Sequence, residues 1–208
     1  MKYLIILFVL CTISIFAQIE QRPDQMEQLL WWDLYTTATA NGGVVVVSDT
    51  VADDNITVGK ADTVYARLFV SGTVAIKNMD VILQYGYYHN YHPNSYYGNN
   101  LILDAIELDS TALDLVTTPT GTAQVTSNLT SKRIMLSYLN SGIIVLDNKS
   151  IMILTFITSA QAGQQILGVP LSTDISPHGY TLRYWTELFN AALKPFSTWV
   201  HNTTIVVE

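Results

Sequence analysis

The stretch QYGYYHNYHPNSYYGNN, residues 84–100, gathers six of the twelve tyrosines of this chain and two of its four histidines, with almost no charge. A tyrosine ring offers a rigid flat face with a hydroxyl at its rim, which suits stacking on sugar rings or anchoring in a protein interface. Tyr87, Tyr88, His89, Tyr91, His92, Tyr96 and Tyr97 are therefore the candidate ligand- or partner-binding residues. A connection of this length without periodicity is uncommon unless it is functional or disordered, and high aromatic content with low charge argues against disorder. The competing reading is that these rings pack over a sheet edge as a lid.

Other groups with chemical potential are weaker. His89-x-x-His92 has the residue type of a metal site, but no nearby Asp, Glu or Cys supplies further donors, so no metal is expected. Asp49, Asp53, Asp54 and Asp62 lie close in sequence, yet the EF-hand spacing and its closing Glu are absent, and a solvated acidic turn is the better reading. A glycosidase needs two facing carboxylates, for which Glu107 and Glu187 are the available long acidic side chains. No nucleophile elbow, zinc-protease helix or phosphate loop occurs, so the chain reads as non-catalytic and without a cofactor. Asn55, Asn128, Asn148 and Asn202 each begin an N-x-S/T sequon, which matters only where the host glycosylates exported proteins.

The elements that must position these residues begin after MKYLIILFVLCTISIFAQ. One cation at Lys2, an apolar run from Tyr3 to Phe16 and small Ala17 predict a signal peptide over residues 1–17, cut after Ala17. The polar QIEQRPDQ that follows, and a run shorter than the roughly 20 apolar residues of a membrane span, predict no span after cleavage. The expected location is secreted or cell-surface, periplasmic or extracellular. Cys11 is the only cysteine and lies in the removed segment, so stability must come from the core. The net charge of −7, which becomes −8 without Lys2, makes nucleic acid a poor partner.

Residues 18–42 are expected to be a helical segment preceding the domain. In RPDQMEQLLWWDLYTTATANGG, Pro23 suits a first turn, Asp24 and Glu27 favour its positive end, and Asn41-Gly42-Gly43 forms a stop. Met26, Leu29, Leu30 and Leu34 follow helical spacing, although Trp31-Trp32 cannot point one way on a helix. From residue 43 to 208 the period becomes two. VVVVSDT, DTVYARLFVSG, AIKNMDVILQY, NLILDAIELDS, KRIMLSYLNSG, KSIMILTFITS and WVHNTTIVVE are short runs bounded by Gly, Asn, Asp and Ser. Val64, Ala66, Leu68 and Val70 share one face; Met79, Val81, Leu83 and Tyr85 share another, with Asn78, Asp80, Ile82 and Gln84 opposed to them. The alternation predicts an all-β, antiparallel sandwich of jelly-roll type. Trp185, Leu188, Phe189, Ala192 and Leu193, ending at Lys194-Pro195, predict a short helix before the last strand.

The order of these segments resembles the cohesin family, β-sandwich modules that receive dockerins. The likeness lies in ITVGKADTVYARLFVSGTVAIKNMDVILQY, LILDAIELDSTAL and KRIMLSYLNSGIIVLDNKSIMILTFITSAQAGQQILGV, covering roughly residues 43–170 with a closing strand at 199–207. Where cohesins continue from the tyrosine matching Tyr85 into a short turn, this chain enters the tyrosine stretch. The resemblance implies a cohesin-like recognition domain that binds a protein partner, dockerin-like or another surface protein. It implies no metal here, because the calcium of that system belongs to the dockerin. The alternative is a carbohydrate-binding module, whose topology is shared, with a polysaccharide stacked on the tyrosines.

Overall fold

The computed structural model describes residues 28–36, 48–85, 100–115, 120–129, 132–169, 186–195 and 198–208. Within them the chain runs through β1 (Gln28–Thr36), β2 (Asn55–Val58), β3 (Thr63–Ser71), β4 (Ala75–Tyr85), β5 (Leu101–Leu108) and β6 (Gly121–Asn128). It continues through β7 (Arg133–Val145), β8 (Lys149–Thr158), β9 (Gly163–Gly168), β10 (Glu187–Phe189), β11 (Thr198–His201) and β12 (Thr203–Val207). One sheet has the order β11-β1-β3-β8-β5, and the second the order β2-β12-β9-β4-β7-β6 with β10 paired to β4. These are called the first and second sheet below.

Strand alternation builds the interior from both sides. The first sheet contributes Leu30, Trp32 and Leu34 from β1, Val64, Ala66, Leu68 and Val70 from β3, and Leu154 and Phe156 from β8. From the second come Met79, Val81, Leu83 and Tyr85 of β4, Ile134, Leu136 and Tyr138 of β7, and Ile205 and Val207 of β12. All are buried, and the inward faces expected for β3 and β4 are the observed ones. Burying side chains of this size contributes about 1.5–3 kcal/mol each, which sets the packing between the sheets as the main stabilising term.

Several expectations need correction. The sandwich is mixed, since β1 runs parallel to β11 and β12 parallel to β2. Residues 28–36 are a strand and not part of a helix, and β1 sits inside the first sheet between β11 and β3, so the domain includes residues N-terminal to 43. The physical reason is burial on both faces: Trp31 and Asp33 on the outer side are nearly as inaccessible as Leu30 and Trp32 on the inner, which erases the polar alternation of a half-exposed strand. The rest of the expected N-terminal helix lies outside the described residues. Likewise Glu187, Leu188 and Phe189 form β10 against Asp80, Met79 and Asn78, and a turn from Asn190 to Lys194 replaces the end of the expected short helix. Leu193 there is exposed with φ 56°, off any helical face. Ser48 to Thr50 is not a strand, and Gln84, expected at the surface, is buried beside the β9 crossing.

One buried polar network fixes where β6 begins. The Tyr138 hydroxyl donates to Leu113 O at 2.9 Å, Asn140 Nδ2 donates to the Tyr138 oxygen at 2.7 Å, and Gly142 N–H donates to Asn140 Oδ1 at 2.7 Å. A Cβ at Gly121 would come within 2.5 Å of Leu113 O and 2.7 Å of the Tyr138 ring, so this position accepts only glycine.

Two expected outcomes follow from the packing. Leu68→Ala, Leu83→Ala and Phe156→Ala each lower stability by about 2–5 kcal/mol, read from denaturation midpoints, because each empties a fully buried volume. Asp80→Asn leaves stability unchanged or raises it by a few tenths of a kcal/mol, because Asp80 is exposed and directly opposite Glu187, a like charge across a strand pair.

Candidate recognition site

Tyr87, Tyr88, His89, Tyr91, His92, Tyr96 and Tyr97 all lie outside the described residues. The structure does place the two points from which their segment departs and returns: the end of β4 at Tyr85, in the second sheet, and Asn100 before β5, in the first. The connection therefore crosses from one sheet to the other at one end of the sandwich.

Both ends are tied by a single buried side chain. Gln165 of β9 is fully inaccessible; its Nε2 donates to Tyr85 O at 2.6 Å, and its Oε1 accepts the Asn100 N–H at 3.1 Å. A primary amide offers a donor and an acceptor on the same plane, so it can satisfy a carbonyl and an N–H together. Lys132 adds a second brace. Its carbonyl accepts the Tyr85 N–H at 3.0 Å, and its ammonium sits 5.6 Å from the Tyr85 ring centroid and 3.4 Å from Leu101 O. Ser159 N–H donates to Asn100 O at 2.8 Å. The Tyr85 ring is buried, 5.1 Å from that of Phe156, and burial pushes its phenol above the ordinary range.

The other candidate residues are dispersed. Asp49 Oδ1 accepts the Val51 N–H, Asp62 Oδ2 accepts the Gly59 N–H, and Asp53 Oδ2 accepts the Leu34 N–H at 2.6 Å while Asp53 N–H donates to Trp32 O. Asp54 meets the His201 ring at 2.8 Å. These carboxylates hold turns and strand edges, and no group of three metal-ligating side chains forms among the described residues. Glu107 is on β5 of the first sheet and Glu187 on β10 of the second, each beside inward-facing neighbours, so they point to opposite outer faces and do not form a catalytic pair. The four sequon asparagines Asn55, Asn128, Asn148 and Asn202 are exposed.

Sequence reasoning missed a polar cluster on the outer face of the first sheet. Asp33 and Arg67 are directly opposite across β1 and β3, 3.7 Å apart, and Ser48 joins them by donating to Asp33 Oδ2 at 2.6 Å and accepting from Arg67 Nη1 at 3.0 Å. The stacked pairs Trp31–Phe69, at 4.2 Å between centroids, and Tyr35–Tyr65, at 4.9 Å, flank it. The available signal was the strand phase, which sets Trp31, Asp33 and Tyr35 beside Phe69, Arg67 and Tyr65 once β1 is recognised as a strand.

The loop base generates one expected outcome and the acidic turn another. Gln165→Leu strands a buried carbonyl and a buried N–H at once, each costing about 1–3 kcal/mol, and hydrogen exchange at Asn100 rises. For Asp53, burial pushes the carboxyl up, the Leu34 N–H opposes this, and Asp33, Asp49 and Asp54 add to the rise. A folded-state value above the unfolded one contributes stability in acid that is lost as pH rises through the folded value. Asp53→Asn, which keeps an oxygen for Leu34, therefore stabilises the protein at about pH 7 and not at about pH 3, as denaturation midpoints at the two pH values would show.

No protein-family model and no curated protein sequence matches the chain. Solved structures do. A chain of the Coh-OlpC–Doc435 complex, a type I cohesin–dockerin complex from Clostridium thermocellum, superposes with a TM-score of 0.54 at 12% identity, over 91% of this chain and 98% of that one. A chain of the complex between a CaDoc0917 variant and CaCohA2, the latter from Clostridium acetobutylicum, gives 0.51 at 14% identity, over 74% and 95%. At these identities the likeness speaks to architecture, and it shows that this protein has the cohesin-like fold.

Proposed function

We propose that this chain is an exported, non-catalytic recognition domain that binds a protein partner through the tyrosine-rich segment between β4 and β5. The observation that carries the reading is the cohesin-like fold across nearly the whole length of a chain from a cohesin–dockerin complex. Supporting it, Gln165 and Lys132 hold both ends of the segment in fixed positions, so a partner would not have to order its base on binding. The amino-terminal apolar segment supports export, with a mature chain beginning at Gln18.

The test combines capture and substitution. The mature domain retains a specific protein from the exported fraction of its producer, and a glycan array shows no comparable binding. Among Tyr87→Ala, Tyr88→Ala, Tyr91→Ala, Tyr96→Ala and Tyr97→Ala, one or two cost about 2 kcal/mol or more in affinity while the melting midpoint moves by only a few degrees. Binding to glycans alone would replace the partner by a polysaccharide. Loss of stability in all five variants would make the tyrosines a packing lid. Intact-mass measurement of exported protein checks the Gln18 terminus.

A further inference from the structure

Four strands end the two sheet orders among the described residues, apart from three-residue β10 beside β4, and three of the four carry protection against pairing with another chain. β2 and β11 have four residues each. β5 has a register shift between Leu103 and Ala105 and carries Asp104 and Glu107. Short length, bulges and charge are the usual means of keeping an edge from recruiting a strand. β6 has none of them beyond its first residue, Gly121, whose N–H is taken by Asp114. The strand is eight residues long and pairs with β7 in unbroken register from Gly121↔Asn140 to Asn128↔Arg133. No charged residue occurs anywhere from Leu115 to Ser131.

The direction of its unused hydrogen-bonding groups can be read from its start. Thr120 O accepts the Ser141 N–H of β7 at 2.8 Å, whereas Gly121 N–H turns away from β7 and donates to Asp114 O at 3.3 Å. Backbone direction alternates along a strand, so the N–H and C=O of Ala123, Val125 and Ser127 face the edge that no described strand pairs with, while Thr122, Gln124 and Thr126 bond β7 and raise their exposed side chains on the outer face.

We propose that β6 is a self-association edge, at which a second copy of this chain pairs antiparallel about a twofold axis through Val125. The axis sets Val125 against the partner's Val125, and Ala123 against the partner's Ser127, so every outward-facing group of these three residues meets its complement. Gln124 then lies opposite the partner's Thr126, with no charge on either side. The pairing runs from residue 122 to residue 128, because Asp114 already takes the outward N–H of Gly121. A second copy is the occupant favoured because an isologous edge supplies identical, uncharged, correctly spaced strands despite a net charge of −7 on each chain. This inference stands apart from the tyrosine segment.

Charge swaps on the outer face test both the edge and its register. Sedimentation at increasing concentration shows the wild type as a monomer–dimer equilibrium. Gln124→Lys with Thr126→Lys faces like charges across the axis and weakens the dimer at least about tenfold, with an unchanged melting midpoint of the monomer. Gln124→Lys with Thr126→Glu faces opposite charges and restores the dimer to within about threefold of the wild type. Amide exchange at Ala123, Val125 and Ser127 slows with concentration in the wild type and not in the double lysine variant. A wild type monomeric at all concentrations overturns the proposal, as does a lysine–glutamate variant as dissociated as the double lysine one.

Discussion

Everything in this domain depends on two sheets sharing one apolar interior. With a single cysteine in the sequence, no intrachain disulfide can close a loop, and the described carboxylates Asp49, Asp53 and Asp62 hold turns and strand edges. The layer formed by Trp32, Leu68 and Phe156 on one side and Met79, Leu83 and Tyr85 on the other therefore supplies the rigidity that a disulfide supplies in smaller secreted folds. Tyr85 is the junction between this layer and the candidate site. Its ring packs in the interior while its carbonyl and N–H hold the departure point of the tyrosine segment.

How much was legible in the sequence follows from exposure. Strands β3 and β4 were readable because one face of each meets the interior and the other is mostly more accessible, so period two is written into Val64 to Val70 and Met79 to Tyr85. β1 was not, because its outer side carries Trp31 and Asp33 under cover, and Leu30 and Leu34 then match helical spacing as well as strand spacing. β10 is three residues long, too short for any period to register. β6 was passed over because Thr, Gln, Ser and Asn dominate it, and only its inward Ala123 and Val125 carry the apolar phase.

The candidate site divides along the same line. Composition alone singles out the segment after Tyr85, because clustered tyrosines with little charge are unusual between strands. Its support is invisible to such reasoning: Gln165 is one of two adjacent glutamines in a short strand, and nothing in its neighbours distinguishes it from the more exposed Gln164. Only the β4–β9 crossing, with Tyr85 opposite Leu167, brings that amide under both ends of the connection.

The two outer faces of the sandwich are built to different ends. On the first sheet, Asp33 sits fully buried with one oxygen unpartnered, and Arg67 has an unpartnered Nε. A pair with one member buried and the other part-exposed gives little net stability, since desolvation of Asp33 offsets most of the attraction, yet losing Arg67 leaves the buried Asp33 charge stranded. That asymmetry suits a register lock: a slip of β1 against β3 by one residue would separate Asp33 from Arg67 and break both aromatic stacks together. Among the described residues the outer face of the second sheet shows no such charged pair: Leu139 of β7 is exposed opposite Thr122 of the uncharged β6, while Ile82 and Gln84 of β4 are buried, so apolar and neutral polar contacts hold the register that a charge pair and two stacks hold on the first sheet.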